Sequence, residues 1–356
     1  MNPKFHPLKI AEVRRETADS VSLRFNVPAE LAEDYRFVQG QHLTLKARVD
    51  GQDVRRSYSI CAGVDDGELR VAIKQVKGGL FSSWVNGGAL KAGDTVEVMT
   101  PEGRFHAPLD AAHAKHYVAF AAGSGITPIL SLIKTTLARE PGSRFTLVYG
   151  NRGTKSVMFG EALEDIKNRY LTRFTFYSLF SREAQDVPLF NGRLDQAKVA
   201  AFLDTLIPVG DIDEAFICGP GAMIDEVEAA LLAAGLDAGH IHLERFGVPD
   251  AAPTHHAEPG DAAAATITLI QDGLRREVAF RKDDPSILDV ALGAGMDLPY
   301  ACKGGVCCTC RAKVLEGRVR MDKNFALEQT DVDAGYVLTC QAHPLTERVV
   351  ISFDER

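Results

Sequence analysis

The sequence contains no run of eighteen or more apolar residues, so no membrane-spanning helix is expected. It has no excess of basic residues: 40 Lys and Arg against 48 Asp and Glu give a formal net charge of −8. That balance argues against a nucleic-acid partner. The opening MNPKFHPLKI lacks the apolar core of a signal peptide, so no export is expected. Tryptophan occurs once, at Trp84, and is expected in the core. No internal repeat or coiled-coil heptad is visible. What remains is an ordinary globular composition, 46% hydrophobic and 25% charged over 356 residues, enough for two or three domains.

The cysteines carry more information. Cys61 and Cys218 stand apart, whereas Cys302, Cys307, Cys308, Cys310 and Cys340 crowd into the last sixth of the chain. An odd number without an export signal argues against a disulfide scaffold and for a reducing, cytoplasmic setting. A tight cluster in that setting reads as a metal site.

Residues 247–265 read GVPDAAPTHHAEPGDAAAA, rich in Pro and Ala with almost nothing to bury. We take 249–265 as a flexible linker, and His255 and His256 within it as a solvated pair. Before it the chain divides again near 110. Residues 1–110 hold β-rich segments (21–27, 41–49, 68–77, 94–99) separated by turn residues, which predicts an antiparallel barrel. Residues 111–248 alternate strands (116–122, 144–150, 173–180, 214–218) with helices (128–139, 159–169, 198–206, 223–234), which predicts a doubly wound parallel α/β domain. Residues 266–356 form a third, small domain.

Within that third domain, Cys302-x4-Cys307-x2-Cys310 and the distant Cys340 have the spacing of a plant-type 2Fe-2S cluster. Three thiolates on one loop and a fourth from a strand end can surround two irons, and Gly304 and Gly305 let the backbone approach the inorganic sulfurs. The alternative is a zinc site, but zinc ribbons use paired C-x2-C knuckles and only one belongs to this pattern. Cys308 lies off the pattern and is expected to be a small buried side chain. The domain resembles plant-type ferredoxins over its whole length, which implies a β-grasp fold, with a hairpin over 266–280 and a helix over 286–294.

Two further motifs lie upstream. Arg56-Ser57-Tyr58-Ser59 matches the R-x-Y-S flavin motif of the ferredoxin–NADP reductase superfamily. A guanidinium suits a phosphate, a tyrosine ring can stack on an isoalloxazine, and a serine hydroxyl can approach flavin N5. Gly78-Gly79-Leu80-Phe81-Ser82 follows, a glycine pair leading into a helix start, where backbone donors can meet a pyrophosphate. Gly123-x-Gly125-x-Thr127-Pro128 ends an apolar strand and opens a helix. It departs from the Rossmann G-x-G-x-x-G in its proline and resembles the same superfamily. Cys218-Gly219-Pro220 ends another strand, and in the superfamily this turn sits beside the nicotinamide, which makes Ser59 and Cys218 the catalytic candidates. Arg152, Ser181 and Arg182 stand where a 2′-phosphate would be read, which favours NADPH over NADH, although Glu183 follows directly. His242–Phe246 closes the domain, with Glu244 and Phe246 candidates for the flavin face; a plain terminal strand is the alternative.

The order flavin domain, nicotinamide domain, ferredoxin resembles oxygenase reductases with a C-terminal ferredoxin. Phthalate dioxygenase reductase shares it but uses FMN. The stretches RRSYSIC, SLFSRE, CKGGVCCTCRAKVLEG, MDKNFAL and YVLTCQAHP are similar to the reductase subunits of ring-1,2-phenylacetyl-CoA epoxidases. That resemblance implies FAD, a 2Fe-2S cluster and NADPH, electron delivery to a di-iron oxygenase, and a place in phenylacetate catabolism. The alternatives are a reductase for another multicomponent oxygenase, and a non-catalytic iron–sulfur redox sensor.

Overall fold

The computed structural model describes residues 4–247 and 257–355. One compact unit runs from Phe5 to Phe246, and the chain from Gly247 onward belongs to another.

The first unit opens with six antiparallel strands: β1 (Phe5–Thr17), β2 (Ser20–Asn26), β3 (His42–Val49), β4 (Gln52–Ser59), β5 (Leu69–Lys74) and β6 (Thr95–Met99), with helix α1 (Leu80–Asn86) before the last. Their order is β4-β3-β6-β1-β2-β5. The two edges meet through an Ile60–Val71 bridge and the Cys61 N–H on the Arg70 carbonyl at 2.9 Å, which curls the sheet into a barrel. Leu8, Leu23, Leu45, Val71 and Val98 fill its interior. Asp50 and Gly51 both have positive φ, 49° and 79°, so the β3–β4 turn is of the Asp-Gly hairpin kind that sets register. The flavin-type motif therefore forms the end of β4 itself. β1 was not expected from the sequence. Its second half, EVRRET, is charged and carries two register shifts, which erase the alternation of a regular strand.

The same unit continues with five parallel strands, β7 (His116–Ala122), β8 (Arg144–Asn151), β9 (Phe174–Phe180), β10 (Glu214–Gly219) and β11 (Ile241–Arg245). Helices α2 (Ile126–Arg139), α3 (Gly160–Arg169), α4 (Gln196–Thr205) and α5 (Gly221–Ala233) connect them. The order β11-β10-β7-β8-β9 reverses between β7 and β10. Ligands of such sheets bind outside the strand carboxyl ends at this reversal. One apolar layer, with Ile129, Ile133 and Phe145, covers one face; another, with Val148, Phe202 and Ile224, covers the opposite face.

The C-terminal unit holds β12 (Ala264–Gln271), β13 (Leu274–Arg281), α6 (Ile287–Gly293), β14 (Arg311–Glu316), β15 (Val319–Met321), α7 (Gln329–Asp333), β16 (Tyr336–Leu338), β17 (Ala342–Pro344) and β18 (Arg348–Ser352). The main sheet is ordered β13-β12-β18-β14-β16 with β12 and β18 parallel, and β15 pairs β17. Ser286 caps α6, its hydroxyl accepting the Asp289 N–H at 3.1 Å. This is the β-grasp arrangement.

The linker reading needs one correction. Residues 249–256, with His255 and His256, lie outside the described residues. Residues 257–265 are not a free tether. The buried Asp261 carboxylate takes the Arg320 guanidinium with both oxygens, at 2.6 and 2.7 Å. The Ala262 N–H donates to the Pro344 carbonyl at 3.0 Å, and β12 begins at Ala264. The alanine-rich composition hid an ion pair whose partner lies 59 residues away.

A Cβ on Gly125 would stand 2.0 Å from the Cys218 carbonyl oxygen, because the loop after β7 lies directly on the end of β10. Gly125→Ala is expected to cost about 1–3 kcal/mol through backbone displacement. A thermal melt of the flavin-loaded protein checks this, and an unchanged midpoint would contradict the packing described.

Candidate functional site

A groove of about 240 Å3 opens between the barrel and the first turn of α2. From β4 it is lined by Arg56, Ser57, Tyr58 and Ser59, and from the start of α1 by Gly79, Leu80 and Ser82. Ser124 and Thr127 close it from the nucleotide side, and Phe246 from the end of the unit. Tyr58 is braced by Phe81 at 5.7 Å between ring centroids, and Phe81 in turn by Trp84 at 5.8 Å. Trp84 is thus part-buried against the barrel core. The Ser82 hydroxyl accepts the Val76 N–H at 3.1 Å and closes the turn leading into α1. Gly78 stands at φ +75° in that turn, outside the groove lining, and supplies the bend.

At the inner end, the Ser59 hydroxyl donates to Glu244 Oε2 at 3.2 Å, joining β4 to β11. Burial pushes the Glu244 carboxyl up to about 8, with the Ser59 bond opposing the shift. Cys218 lies opposite Glu244 in the β10–β11 ladder and is fully buried. Burial raises its thiol, and the neighbouring Glu244 carboxylate adds to the shift, so it stands as a thiol rather than a thiolate. The candidates Ser59, Cys218, Glu244 and Phe246 come from three separate stretches of sequence. The end of β11 is both a plain strand and a wall of the site.

The nucleotide-type residues gather at the strand carboxyl ends. Gly123 adopts φ +55°, and its carbonyl accepts the hydroxyl of the fully buried Tyr149 at 2.8 Å. Thr127 donates to the Ser124 carbonyl at 3.0 Å, and Pro128 sits in the first turn of α2. Gly219 packs against Met223, and Pro220 precedes α5. Beyond β8 and β9, the Ser181 and Arg182 N–H groups donate to the Asn151 and Arg152 carbonyls, both at 2.9 Å. Arg152 and Arg182 are exposed, and neither guanidinium has a carboxylate partner among the described residues. Sequence reasoning missed Lys74, Ala72, Val76 and Ser124 as groove residues, and Tyr149 as a brace; Ser124 occupies an unspecified position of the glycine motif, and the others belong to no motif.

In the C-terminal unit the four spaced cysteines fall into two pairs in hydrogen-bond contact, Cys302 with Cys307 and Cys310 with Cys340. Gln341 donates to the Lys303 carbonyl at 3.0 Å, which seats the turn carrying Cys340 against the loop carrying Cys302. Among the described residues, no three His, Cys, Asp or Glu side chains close round a single metal ion. Two adjacent thiol pairs fit a two-iron cluster, two ligands per iron, better than one tetrahedral ion. The Gly304 N–H points at Cys302 Sγ from 3.3 Å, and Gly305 takes φ +78°. Cys308 is half-buried rather than buried: φ +54° turns it to the margin of the core, where its thiol donates to the Ala326 carbonyl at 3.1 Å.

Three family models match successive parts of the chain. An oxidoreductase FAD-binding domain model matches residues 7–107, an oxidoreductase NAD-binding domain model 120–229, and a 2Fe-2S iron-sulfur cluster binding domain model 269–345. The protein is therefore an oxidoreductase that carries electrons from a nicotinamide nucleotide through FAD to a 2Fe-2S cluster. It is 49% identical to one of the subunits of 1,2-phenylacetyl-CoA epoxidase from Escherichia coli K12, over 99% of this chain and 98% of that one. It is 36% identical to the ferredoxin reductase component of 3-ketosteroid-9-alpha-monooxygenase of Rhodococcus rhodochrous, over 97% of this chain and 96% of that one. The solved structure of phthalate dioxygenase reductase shares the fold, with a TM-score of 0.59 at 24% identity and 98% of each chain covered. The chain belongs to the reductase components of multicomponent oxygenases, in the family that includes this phenylacetyl-CoA epoxidase component. No helix among the described residues is long and apolar enough to cross a membrane.

The raised Glu244 carboxyl has a consequence for stability. In the unfolded chain it ionises near 4.5 and in the fold near 8, so the folded state holds the extra proton between those values. Stability contributed by this group is fully present below pH 4.5 and is lost as pH rises through 8. Relative to Glu244→Gln, the flavin-loaded wild type is expected to lose unfolding free energy between about pH 5 and pH 8. Denaturant curves whose separation does not change with pH would contradict this.

Proposed function

We infer that this protein is the NADPH-dependent reductase of a phenylacetyl-CoA epoxidase, passing single electrons to a di-iron oxygenase in phenylacetate catabolism. It works in the cytoplasm, a placement supported by its odd, reduced cysteine set. The observation that carries the electron-transfer reading is the convergence of Ser59 and Phe246 on one groove, with Glu244 hydrogen-bonded to Ser59 and Ser124 of the glycine loop at the groove's edge. The epoxidase partner is supported by the end-to-end likeness to a component of that enzyme.

Arg56, with the Gly78-Gly79 turn, Leu80 and Ser82, holds the FAD diphosphate, and Ser57 and Tyr58 flank the ring. FAD supplies the chemistry of taking a hydride and giving electrons singly. The protein's part is positioning. Ser59 would present its hydroxyl to the ring edge, and Glu244, which burial keeps neutral near pH 7 and whose carboxyl oxygen accepts the Ser59 O–H at 3.2 Å, holds that hydroxyl in place. Cys218, Gly219 and Pro220 bound the space for the nicotinamide, and Gly123, Gly125, Thr127 and Pro128 hold the dinucleotide pyrophosphate against the start of α2. Arg152, Ser181 and Arg182 receive the 2′-phosphate. Cys302, Cys307, Cys310 and Cys340 hold the cluster.

Anaerobic titration with NADPH and then NADH, read by absorbance and EPR, tests the internal chain. Flavin bleaching followed by a rhombic 2Fe-2S signal is expected, at lower NADPH than NADH. Mixing the reduced protein with a purified di-iron epoxidase and, separately, with a ring-hydroxylating dioxygenase tests the partner. Faster turnover with the dioxygenase would transfer the assignment.

Arg182→Ala removes a charge-assisted contact and should raise the KM for NADPH by roughly 10- to 100-fold while that for NADH stays within about twofold. Cys340→Ser should abolish the EPR signal and lower the iron content, leaving flavin bleaching by NADPH in place. Retention of the signal would remove Cys340 from the ligand set.

A further inference from the structure

An acidic residue stands where the nucleotide reading wants none. Glu183 follows Arg182 directly, three residues past the end of β9 and beside the arginine assigned to the 2′-phosphate, where a carboxylate would repel that phosphate. The structure ties this carboxylate away. The Thr154 hydroxyl donates to Glu183 Oε1 at 2.6 Å, and the Thr154 N–H donates to Oε2 at 2.8 Å. The seat for the carboxylate exists because residue 153 is glycine: a Cβ there would stand 2.4 Å from Glu183 Oε2. Gly153 has extended backbone, φ 179°, so the fold itself does not demand glycine at that position. The turn is held in shape by Ser156, whose hydroxyl accepts the Arg152 and Gly153 N–H groups, both at 3.2 Å. The Thr154 bonds hold the Glu183 carboxyl below its ordinary range, so it is an anion at neutral pH.

We propose that Gly153 and Thr154 form a latch that sequesters Glu183 and so sets the choice of NADPH over NADH. The latch rests on the NADPH reading and adds the device behind it. Two arginines alone attract either dinucleotide through its pyrophosphate charge. Discrimination requires that the 2′-phosphate meet no anion, and the latch keeps the Glu183 carboxylate turned to Thr154 in the loop after β8. Thr154 is a positioning residue here, acting through Glu183.

The test compares kcat/KM for NADPH and NADH in the holoprotein and four variants. Gly153→Ala displaces the carboxylate by bulk, without backbone strain. Thr154→Val removes the hydroxyl donor but keeps the side-chain shape. Both should lower the NADPH/NADH ratio roughly three- to fivefold, the range of an exposed charge pair. Thr154→Ser keeps the donor and should retain the wild-type ratio. The double variant Thr154→Val with Glu183→Gln removes the released charge and should restore it. A purely structural role for the turn would depress both nucleotides equally and leave the ratio alone, and that outcome overturns the latch. So does a lowered ratio that Glu183→Gln fails to restore. A wild type that prefers NADH overturns the NADPH reading itself, before any variant is compared.

Discussion

The hydrogen bond from Ser59 to Glu244 spans 185 residues of sequence and ties the flavin barrel to the nucleotide sheet at the inner end of the groove. Most of the first unit is arranged to let it form. The Asp50-Gly51 hairpin brings β4 to the groove with Ser59 at its inner end. The parallel ladder from β7 through β10 delivers β11 with Glu244 facing back. Gly125 lets the β7 loop lie against β10 without a side chain between them. The carboxyl at the end of this chain is kept neutral near pH 7 by burial, so the Ser59 hydroxyl is held without a fixed negative charge beside it.

The second unit solves a different problem. Four thiolates repel one another and need desolvated, fixed positions, so they are placed on a loop with three residues at positive φ: Lys303, Gly305 and Cys308. The fourth comes from the short turn after β16. The arrangement in two pairs carries the chemistry of the site, because it prepares two metal positions rather than one.

Much of this was legible in the sequence. Cysteine spacing points to a 2Fe-2S domain, which the family model over 269–345 bears out, and strand–helix alternation over 116–234 gives the parallel sheet with boundaries shifted by at most two residues. β1 was hidden because charged residues and two register shifts mask its alternation. Residues 257–265 looked featureless because the meaning of Asp261 depends on Arg320. The groove residue Lys74 and the brace Tyr149 have no motif to announce them; their roles come from strand pairing and from one hydroxyl reaching one carbonyl. The sequence places Glu183 beside Arg182, but only the fold shows the side chain turned toward Thr154.

The β3–β4 hairpin also bears on how proteins of this architecture can diverge. Side chains alternate faces along a strand, so one residue added to or removed from the turn at 50–51 would rotate Arg56, Tyr58 and their neighbours to the opposite face. Substitutions can accumulate in this hairpin, but insertions and deletions of odd length cannot. Length variation among such reductases should therefore concentrate in connections such as 27–41, which lie outside the strands.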